Sequence, residues 1–418
     1  MNVLIVTQYF WPENFRINEL AATLVERGHD VTVLTGIPNY PGGRFFPGYG
    51  VWKRTTEHYA GCRVLRVPLI PRGRSSGLQL AVNGLSFVLS ASLLYPRIGR
   101  KRYDVIFVWE SSPVTVALPA ILIKRLRKIP LVFWILDLWP ESLDAVQWKR
   151  SSIVLRVMDR LVRFIYRWCD LVLVASRAYT PSVVAHGGDP SRVRYFPNWA
   201  EEIYRPVAAA AAADAPSALP QGFRVMFAGN IGEAQDPPTI LAAAETLKSY
   251  PDIHWILVGD GRMRDWVADQ IDARGLSSTV HLIPRQPADA MPALFAQADA
   301  MLVILRRNPT FALTVPGKIQ SYMSCARPIV AALEGEGRRI VEESGAGLVC
   351  DPERADALAE TVLAMRRSSA AERRDMGERG RRYCAENFER SMLMNRLEAM
   401  LHEVQDPRAG HALELRTN

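Results

Sequence analysis

Short apolar runs alternate with longer segments of helical periodicity along the chain, and this alternation limits the possible folds more than any other feature. The run NVLIVT at residues 2–7 is typical of a buried strand, and INELAATLVER at residues 17–27 is typical of an amphipathic helix that Gly28 can close. Strands separated by helices form a parallel sheet with helices on both faces. The sequence therefore predicts an α/β protein, with further strands at residues 30–35, 104–109, 131–136, 171–175, 224–228, 254–258, 280–283, 300–304 and 328–331.

The length and one change of composition predict two domains. A chain of 418 residues is long enough for two domains of ordinary size. Residues 207–221 are rich in alanine and proline, which favours a linker over a continued helix. We therefore expect two Rossmann-like, doubly wound parallel-sheet lobes that face each other across a cleft. The predicted segments are an N-terminal lobe at 1–198, a linker at 199–221, a C-terminal lobe at 222–385, a helix at 386–404 that packs back toward the N-terminal lobe, and a disordered tail at 405–418.

The positive charge of the chain is concentrated in its first half. Residues 1–200 contain 26 lysines and arginines against 13 acidic residues, whereas residues 201–418 contain 25 against 30. A basic surface favours a polyanionic partner such as nucleic acid, an anionic lipid or a phosphorylated substrate. No nucleic-acid-binding module is recognisable in the sequence, so we expect no nucleic acid among the partners.

Cysteine usage and the N-terminal sequence are typical of a cytoplasmic protein. The five cysteines are scattered, without a CxxC pair or a Cys/His cluster, which disfavours disulfides and a zinc site. The first ten residues, MNVLIVTQYF, have a strand pattern and lack the basic region and cleavage site of a signal peptide. No D-x-D triplet occurs, so a carboxylate-held metal has no support. We expect neither a metal nor a cofactor.

Loops that contain glycine follow two predicted strands of the C-terminal lobe. Small residues let the backbone approach a ligand closely, although such loops also serve as plain turns. The loop after the first strand of the chain contains no glycine, which disfavours NAD or FAD there. The candidate binding residues of the two C-terminal loops are Gly229, Asn230, Gly232, Gly259, Asp260 and Gly261.

A candidate phosphate site lies at the start of a predicted helix in the same lobe. The sequence VPGK at residues 315–318 precedes this helix, and helix starts bind phosphate through free N–H groups and a partial positive charge. Lys318 adds a full charge beside Gly317, and Arg306 lies one loop earlier. The alternative is a Pro/Gly turn with solvated basic residues.

Four carboxylates of the first half are candidates for acid–base chemistry because they follow predicted strands. Ligands of open α/β sheets bind beyond the carboxyl ends of the strands. The alternatives are a packing loop after the first strand and a helix cap at Asp137. The candidates are Glu13, Glu110, Asp137 and Glu141, with Trp11 and Arg16 in the same aromatic, charged loop as Glu13.

An uncharged stretch of 22 residues at 75–96, flanked by arginines, is the most unusual segment. A membrane-spanning helix needs about 20 predominantly apolar residues, but polar side chains dilute this stretch. It also lies between strands of one sheet, so the chain cannot cross a membrane there and return. We therefore expect docking on anionic headgroups, with a helix buried inside the lobe as the alternative. Basic clusters at 124–128 and 156–167 strengthen the membrane-surface interpretation.

Several motifs, spread in order over nearly the whole chain, together resemble one family. PNWAEE at residues 197–202, VGDGRM at 258–263 and CARPIVA at 325–331 resemble glycosyltransferase family 4, whose members have the two-lobed GT-B fold. The N-terminal sequence and LDLWPES at 136–142 more closely resemble the bacterial subgroup that builds surface polysaccharides, the fucosamine-transferase-like branch.

The resemblance implies a retaining, metal-independent transfer of a hexosyl group from a nucleotide sugar, with UDP-linked donors and N-acetylated amino sugars as the first candidates. It implies a polyprenyl-diphosphate-linked saccharide as acceptor, at the inner face of the cytoplasmic membrane, in the synthesis of O-antigen, capsule or exopolysaccharide. The second lobe would bind the donor and the first lobe the acceptor. The expected site residues are, for the donor, Gly229, Asn230, Gly232, Gly259, Asp260, Gly261, Arg306, Gly317, Lys318 and Ser321; for the acceptor, Trp11, Arg16, Glu110 and Glu141; and for catalysis, Asp137, Glu13 and Lys318.

The sequence departs from the family pattern in its charged residues. Lys318 and Arg306 are the candidates that replace the missing charge against the donor diphosphate. Three other classes of protein stay open: a GT-B nucleotide-sugar 2-epimerase, a non-catalytic subunit that binds nucleotide sugar or lipid, and a nucleic-acid binder. Leu313 and Ser321 occupy the positions of the family's E-x7-E glutamates. Asn230 and Gln235 occupy the positions of the family's Arg and Lys after the glycine loop, and Leu136 occupies the position of its catalytic histidine.

Overall fold

Two separate β-sheets organise the chain. The computed structural model describes residues 1–73, 76–146, 152–207 and 219–405. The N-terminal unit contains Met1–Pro197 and the chain from Met394, and the C-terminal unit contains Asn198–Leu393. Each unit is an α/β structure around one sheet, so the predicted architecture of two parallel-sheet lobes is confirmed. Residues 208–218 of the predicted linker and residues 406–418 of the predicted tail lie outside the described residues.

The sheet of the N-terminal unit has eight strands in the order β3-β4-β2-β1-β5-β6-β7-β8. All neighbouring strands are parallel except β3 and β4, which pair antiparallel. The central strands are buried on both faces, as their uninterrupted apolar runs predict. The strands are β1 Asn2–Val6, β2 Asp30–Gly36, β3 Thr56–Tyr59, β4 Cys62–Val67, β5 Val105–Glu110, β6 Leu131–Ile135, β7 Leu171–Val174 and β8 Val193–Tyr195.

In the described part of this unit, five α-helices connect the strands, and a further helix returns from the C-terminal part of the chain. The crossover helices are α1 Arg16–Glu26, α2 Gly77–Leu93, α3 Ala117–Arg127, α4 Ser152–Trp168 and α5 Thr180–Ala185. Within the N-terminal unit, α2 packs against α3 and α3 packs against α4, so these three helices form one continuous layer.

Helix α2 covers most of the uncharged stretch. Ser76 caps its start together with Gln79, so one of the polar residues that dilute the stretch serves as a helix cap. Phe87 and Ala91 are fully buried, whereas Leu78 is 73% exposed. One face of α2 therefore packs inside the unit, as the second alternative expects, and the opposite face remains apolar and exposed. Among the described residues, no helix is long and apolar enough to cross a membrane.

The sheet of the C-terminal unit has six parallel strands in the order β11-β10-β9-β12-β13-β14. Its strands are β9 Phe223–Ala228, β10 Ile253–Val258, β11 Val280–Ile283, β12 Ala300–Ile304, β13 Ile329–Ala332 and β14 Gly347–Cys350. Its helices are α6 Pro237–Thr246, α7 Arg264–Ala273, α8 Met291–Ala296, α9 Pro309–Ala312, α10 Gly317–Ser324, α11 Gly335–Ser344, α12 Ala355–Arg367 and α13 Ala370–Phe388.

The last helix, α14 Arg390–Gln405, belongs to the N-terminal unit from Met394 onward. Its Glu398 carboxylate accepts a hydrogen bond from the Arg27 guanidinium at 2.7 Å and pairs with the His29 ring at 2.8 Å. These contacts lie beyond the end of α1. Polar pairs therefore join this helix to the N-terminal unit at the end of α1.

In both sheets the chain reverses its winding beside the first strand. β1 lies between β2 and β5, and β9 lies between β10 and β12. Ligands of doubly wound sheets bind beyond the carboxyl ends of the strands at such a switch point. The loops after β1 and β5, and after β9 and β12, are therefore where the fold favours binding.

Candidate active site

Two glycine loops meet at the switch point of the C-terminal unit. The Gly229 amide donates to the Val258 carbonyl at 2.9 Å, which ties the loop after β9 to the end of β10. Gly259 has φ +146°, and a Cβ there would lie 1.9 Å from the Gly229 carbonyl oxygen. A Cβ at Gly261 would lie 2.3 Å from the Ile231 carbonyl oxygen. These loops can approach this closely only because glycine occupies both positions.

Lys318 faces this pair of loops from the first turn of α10. Its Nζ lies 3.6 Å from the centroid of the Phe227 ring and 3.0 Å from the position that a Cβ would take at Gly229. Burial lowers the pKa of the Lys318 ammonium to about 7. Within the described residues no carboxylate forms an ion pair with it. The site therefore presents a cation that an incoming anion can neutralise.

A cavity of about 640 Å³ lies in front of these loops. One of its walls is aromatic: the Tyr204 ring stacks on Phe295 with an interplanar angle of 12°, and Phe295 meets Tyr322 edge to face. The Tyr322 hydroxyl bonds to the backbone of Ala228 at the end of β9, which fixes this wall to the glycine loop. The predicted donor residues that line the cavity are Gly229, Asn230, Gly259, Asp260, Gly261, Lys318 and Ser321.

Three predicted donor residues lie outside the cavity lining. Gly232 precedes a short helical turn behind the first glycine loop, and Gly317 is the first residue of α10. The Arg306 guanidinium is about half exposed and lies 3.7 Å from the Glu353 carboxylate. Of the two candidates for replacing the missing charge, only Lys318 faces the cavity.

Glu110 and Asp137 are joined at the carboxyl ends of β5 and β6. Glu110 is fully buried, and its carboxylate accepts the backbone N–H groups of Ser112 at 2.7 Å and Asp137 at 3.2 Å. Burial, and then the nearby Asp137 charge, raise the pKa of Glu110 well above its usual value. Glu110 therefore holds together the loops after β5 and β6. This arrangement favours a positioning role over the acceptor contact expected from the sequence.

The Asp137 side chain is half-buried beside the hydroxyl of Ser112. This hydroxyl donates to Asp137 and accepts the Trp139 indole N–H at 3.2 Å. Burial raises the pKa of Asp137, and the Ser112 hydrogen bond opposes that shift. Ser112 has φ +62°, a conformation that costs about 1–3 kcal/mol for a residue with a Cβ and that is often found at functional sites. The sequence reasoning missed Ser112.

Glu13 anchors two loops of the N-terminal unit. Its buried carboxylate accepts the amides of Asn39 and Tyr40 at 2.7 Å each, and the amide of Phe10 at 3.2 Å. Burial raises its pKa to about 7, against the lowering effect of these hydrogen bonds. Because both oxygens hold backbone amides, the arrangement favours a positioning role over the catalytic role expected from the sequence.

The other predicted acceptor residues lie on separate elements. The Trp11 ring stacks on Tyr59 with their centroids 5.2 Å apart, and Arg16 is the first residue of α1. The Glu141 carboxylate accepts the Ser182 hydroxyl at 2.5 Å. The described residues contain no cluster of three His, Cys, Asp or Glu side chains that could hold a metal ion.

These two doubly wound units, each with candidate residues at its switch point, have the architecture of the GT-B class of glycosyltransferases. The fold of the chain is similar to that of HepE from Anabaena, solved in complex with UDP, with a TM-score of 0.71 and 17% identity over 96% of this chain and all of that chain.

Two family models match the sequence, one in each half. Residues 14–199 match the glycosyl transferase 4-like domain, and residues 214–383 match the glycosyl transferases group 1. The two matches together span most of the chain, which therefore belongs to the glycosyltransferases with the GT-B fold.

Two curated relatives resemble the chain over most of its length. One is WcaI of Escherichia coli K12, named for glycosyl transfer in colanic acid biosynthesis, which is 25% identical over 86% of this chain and 90% of its own length. The other is WbjE of Pseudomonas aeruginosa, named as a glycosyltransferase, which is 29% identical over 69% of this chain and 73% of its own length. Neither name identifies the fucosamine-transferase-like subgroup, which stays a prediction.

Proposed function

We propose that this protein transfers a sugar, with retention of anomeric configuration, from a nucleotide-sugar donor to a polyprenyl-diphosphate-linked saccharide in the synthesis of a bacterial surface polysaccharide. The observation that carries the proposal is the position of Lys318, which forms no ion pair with a carboxylate among the described residues and faces two glycine loops at the switch point of the C-terminal unit. The names of WcaI and HepE support a surface polysaccharide and a UDP-linked donor. N-acetylated amino sugars are among the candidate donors.

The proposed reaction assigns one role to Lys318 and another to Asp137. The acceptor hydroxyl oxygen forms a bond to the anomeric carbon on the same face of the sugar from which the donor diphosphate departs, and the bond from that carbon to the diphosphate oxygen breaks. Lys318 stabilises the negative charge that grows on the departing diphosphate. Asp137 orients the hydroxyl and accepts its proton. Asp137 suits this role because it is half-buried and fixed by Ser112.

The binding of a diphosphate should take up a proton. Because the free Lys318 has a pKa of about 7, a substantial fraction is neutral near neutral pH, and a nearby dianion raises that pKa again. Affinity for UDP should therefore weaken as the pH rises above about 7. Isothermal titration calorimetry in buffers of different ionisation enthalpy measures the uptake directly. In the Lys318→Ala variant the uptake should disappear, and an uptake equal to that of the wild type would assign the proton elsewhere.

We propose that the enzyme docks on the inner face of the cytoplasmic membrane. The docking itself is supported by two helices of one layer, each of which exposes a face suited to a lipid surface. The exposed side of α2 is a leucine-rich stripe, and the exposed side of α4 combines apolar residues with arginines. Apolar groups insert among lipid headgroups, and arginines favour anionic ones. The α2 stripe contains Leu78, Val82, Leu85, Leu89 and Leu93, and the α4 face contains Ile153, Arg156, Val157, Arg160, Phe164 and Arg167.

Replacing Leu85 and Leu89 together by glutamine should weaken binding to vesicles that contain phosphatidylglycerol by about tenfold or more, because burial of each leucine contributes about 1.5–3 kcal/mol. Co-sedimentation measures the binding. The double variant should fold normally, since both side chains are more than half exposed. The matched control is Val184→Gln, at an exposed apolar position on α5. Equal binding by the L85Q/L89Q variant and the wild type would remove α2 from the docking surface.

A donor and acceptor panel tests the proposed reaction. The purified protein is incubated with nucleotide sugars and polyprenyl-diphosphate-linked acceptors, and mass spectrometry records the products. We expect a gain of one sugar mass on the lipid with one donor, and NMR of that product should show the anomeric configuration of the donor. A changed nucleotide sugar without acceptor would instead indicate an epimerase. Binding without turnover over the whole panel would favour a binding subunit.

A further inference from the structure

Helix α2 has a second face that contacts the loops of the candidate active site. Asn83 and Gly84 directly follow Val82 of the exposed stripe, and both are buried. An amide side chain in an otherwise apolar buried face is costly unless its hydrogen bonds are made, and a glycine inside a helix lowers helix stability. The contacts of these two residues should therefore account for their presence in the helix.

The Asn83 side chain joins three segments of the N-terminal unit. Its Oδ1 accepts hydrogen bonds from the Gln8 amide at 2.6 Å and from the Tyr9 hydroxyl at 3.3 Å, both in the loop after β1. Its Nδ2 donates to the Ile70 carbonyl at 2.6 Å and lies 3.5 Å from the Asn39 Oδ1. Asn83 thus links α2 to the loops after β1 and β2.

These are the two loops that Glu13 holds together. Glu13 lies in the loop after β1, and its carboxylate binds the backbone amides of Asn39 and Tyr40 in the loop after β2. The Asn39 side chain also accepts the backbone amide of Arg72, which leads toward α2. A displacement of α2 therefore acts on the network of Glu13 through Asn83.

Gly84 makes the second contact, with the loop after β5. A Cβ at Gly84 would lie 2.7 Å from the Pro113 Cγ, so the helix and this proline are too close for any side chain between them. Pro113 follows Ser112, whose hydroxyl donates to Asp137 and whose amide donates to Glu110. The position of α2 therefore also bears on the loop that orients Asp137.

We propose that α2 couples the membrane to the active site: docking of its exposed stripe on an anionic bilayer orders the Glu13 loops through Asn83 and the Ser112 loop through Gly84. The inference rests on the docking surface of the proposed function. The bilayer is the partner because the exposed face of α4, a helix of the same layer, adds arginines to the apolar stripe of α2, and arginines complement anionic headgroups. A bilayer shifts the loops only if it binds one position of α2 better than another.

Hydrogen–deuterium exchange with and without lipid vesicles tests this coupling in the full chain. The probes are peptides that contain four amides bonded to the buried carboxylates, those of Asn39, Tyr40, Ser112 and Asp137. Vesicles of phosphatidylglycerol and phosphatidylcholine should slow exchange in α2 and in these peptides by about fivefold. Vesicles of phosphatidylcholine alone should have a much smaller effect.

Two variants separate the two contacts. Asn83→Ala should bind the vesicles but lose the slowing in the Asn39 and Tyr40 peptide. Gly84→Ala favours the helix intrinsically but displaces Pro113, so it should lose the slowing in the Ser112 and Asp137 peptides. A residue with a merely structural role would instead change exchange equally with and without vesicles. Exchange in the core strand β5 reports whether each variant is folded.

The outcomes distinguish this coupling from docking itself. Protection of α2 without any change in the two loops overturns the coupling and leaves the docking surface intact. A vesicle response that both variants retain in full overturns the roles of Asn83 and Gly84. A wild-type protein that does not bind anionic vesicles overturns both the docking and the coupling, while the donor and acceptor panel still decides the reaction.

Discussion

Replacing Lys318 by alanine is expected to lower the turnover number by about 10²–10³, because removal of one preorganised group that stabilises developing charge has an effect of this size. The Lys318 ammonium faces the glycine loops and has no carboxylate partner among the described residues, so its charge is available to the leaving diphosphate. That charge grows as the sugar departs, and the loss should therefore be larger in turnover than in affinity for the donor.

The measurement compares turnover and the dissociation constant of UDP in the variant and the wild type. Lys248→Ala is the matched control, because this lysine of the same unit is exposed and donates to the Arg274 carbonyl. The control should keep nearly full activity. Turnover in Lys318→Ala within about threefold of the wild type would refute its role, since a transition-state contact is worth much more than that.

The positions and approximate lengths of most strands could be predicted from the sequence, because buried parallel strands are uninterrupted apolar runs. The sequence reasoning missed β3, β4, β8 and β14. At β4, Arg63 and Arg66 interrupt the apolar run. Arg66 is only 1% exposed, and it pairs with Glu57 of the neighbouring β3 and donates to the Gly36 carbonyl at 3.0 Å. A buried arginine is compatible with a strand only when such partners exist, and the partners are remote in the sequence.

The site shows the same division between local and non-local information. The loop glycines and Lys318 could be predicted because glycine and helix-start chemistry is local. Glu13 and Glu110 could be selected from the sequence as carboxylates that follow strands. Their burial and their hydrogen bonds to backbone amides could not, because these depend on the loops that fold over them. The aromatic wall of Tyr204 and Phe295 joins residues from distant segments, so no local signal could reveal it.

Asp137→Asn is the second substitution with a large expected effect, a loss of about 10²–10⁴ in turnover, which is the usual contribution of a general base. Asparagine has nearly the same shape, and the Asp137 amide that donates to Glu110 remains in place. The loss should therefore come from the missing proton acceptor. The Michaelis constant for the acceptor should change little, and Asp189→Asn, at an exposed aspartate of the same unit, should leave turnover unchanged.

The pH profile decides whether Asp137 is the base. A base must be deprotonated to act, and burial raises the pKa of Asp137, so wild-type turnover should fall as the pH decreases through that raised value. In Asp137→Asn this acidic limb should disappear from the residual activity. Ser112→Ala removes the hydrogen bond that opposes the shift and should move the limb to higher pH. An unchanged acidic limb in Asp137→Asn would assign the base to another group and leave Asp137 only the orienting role.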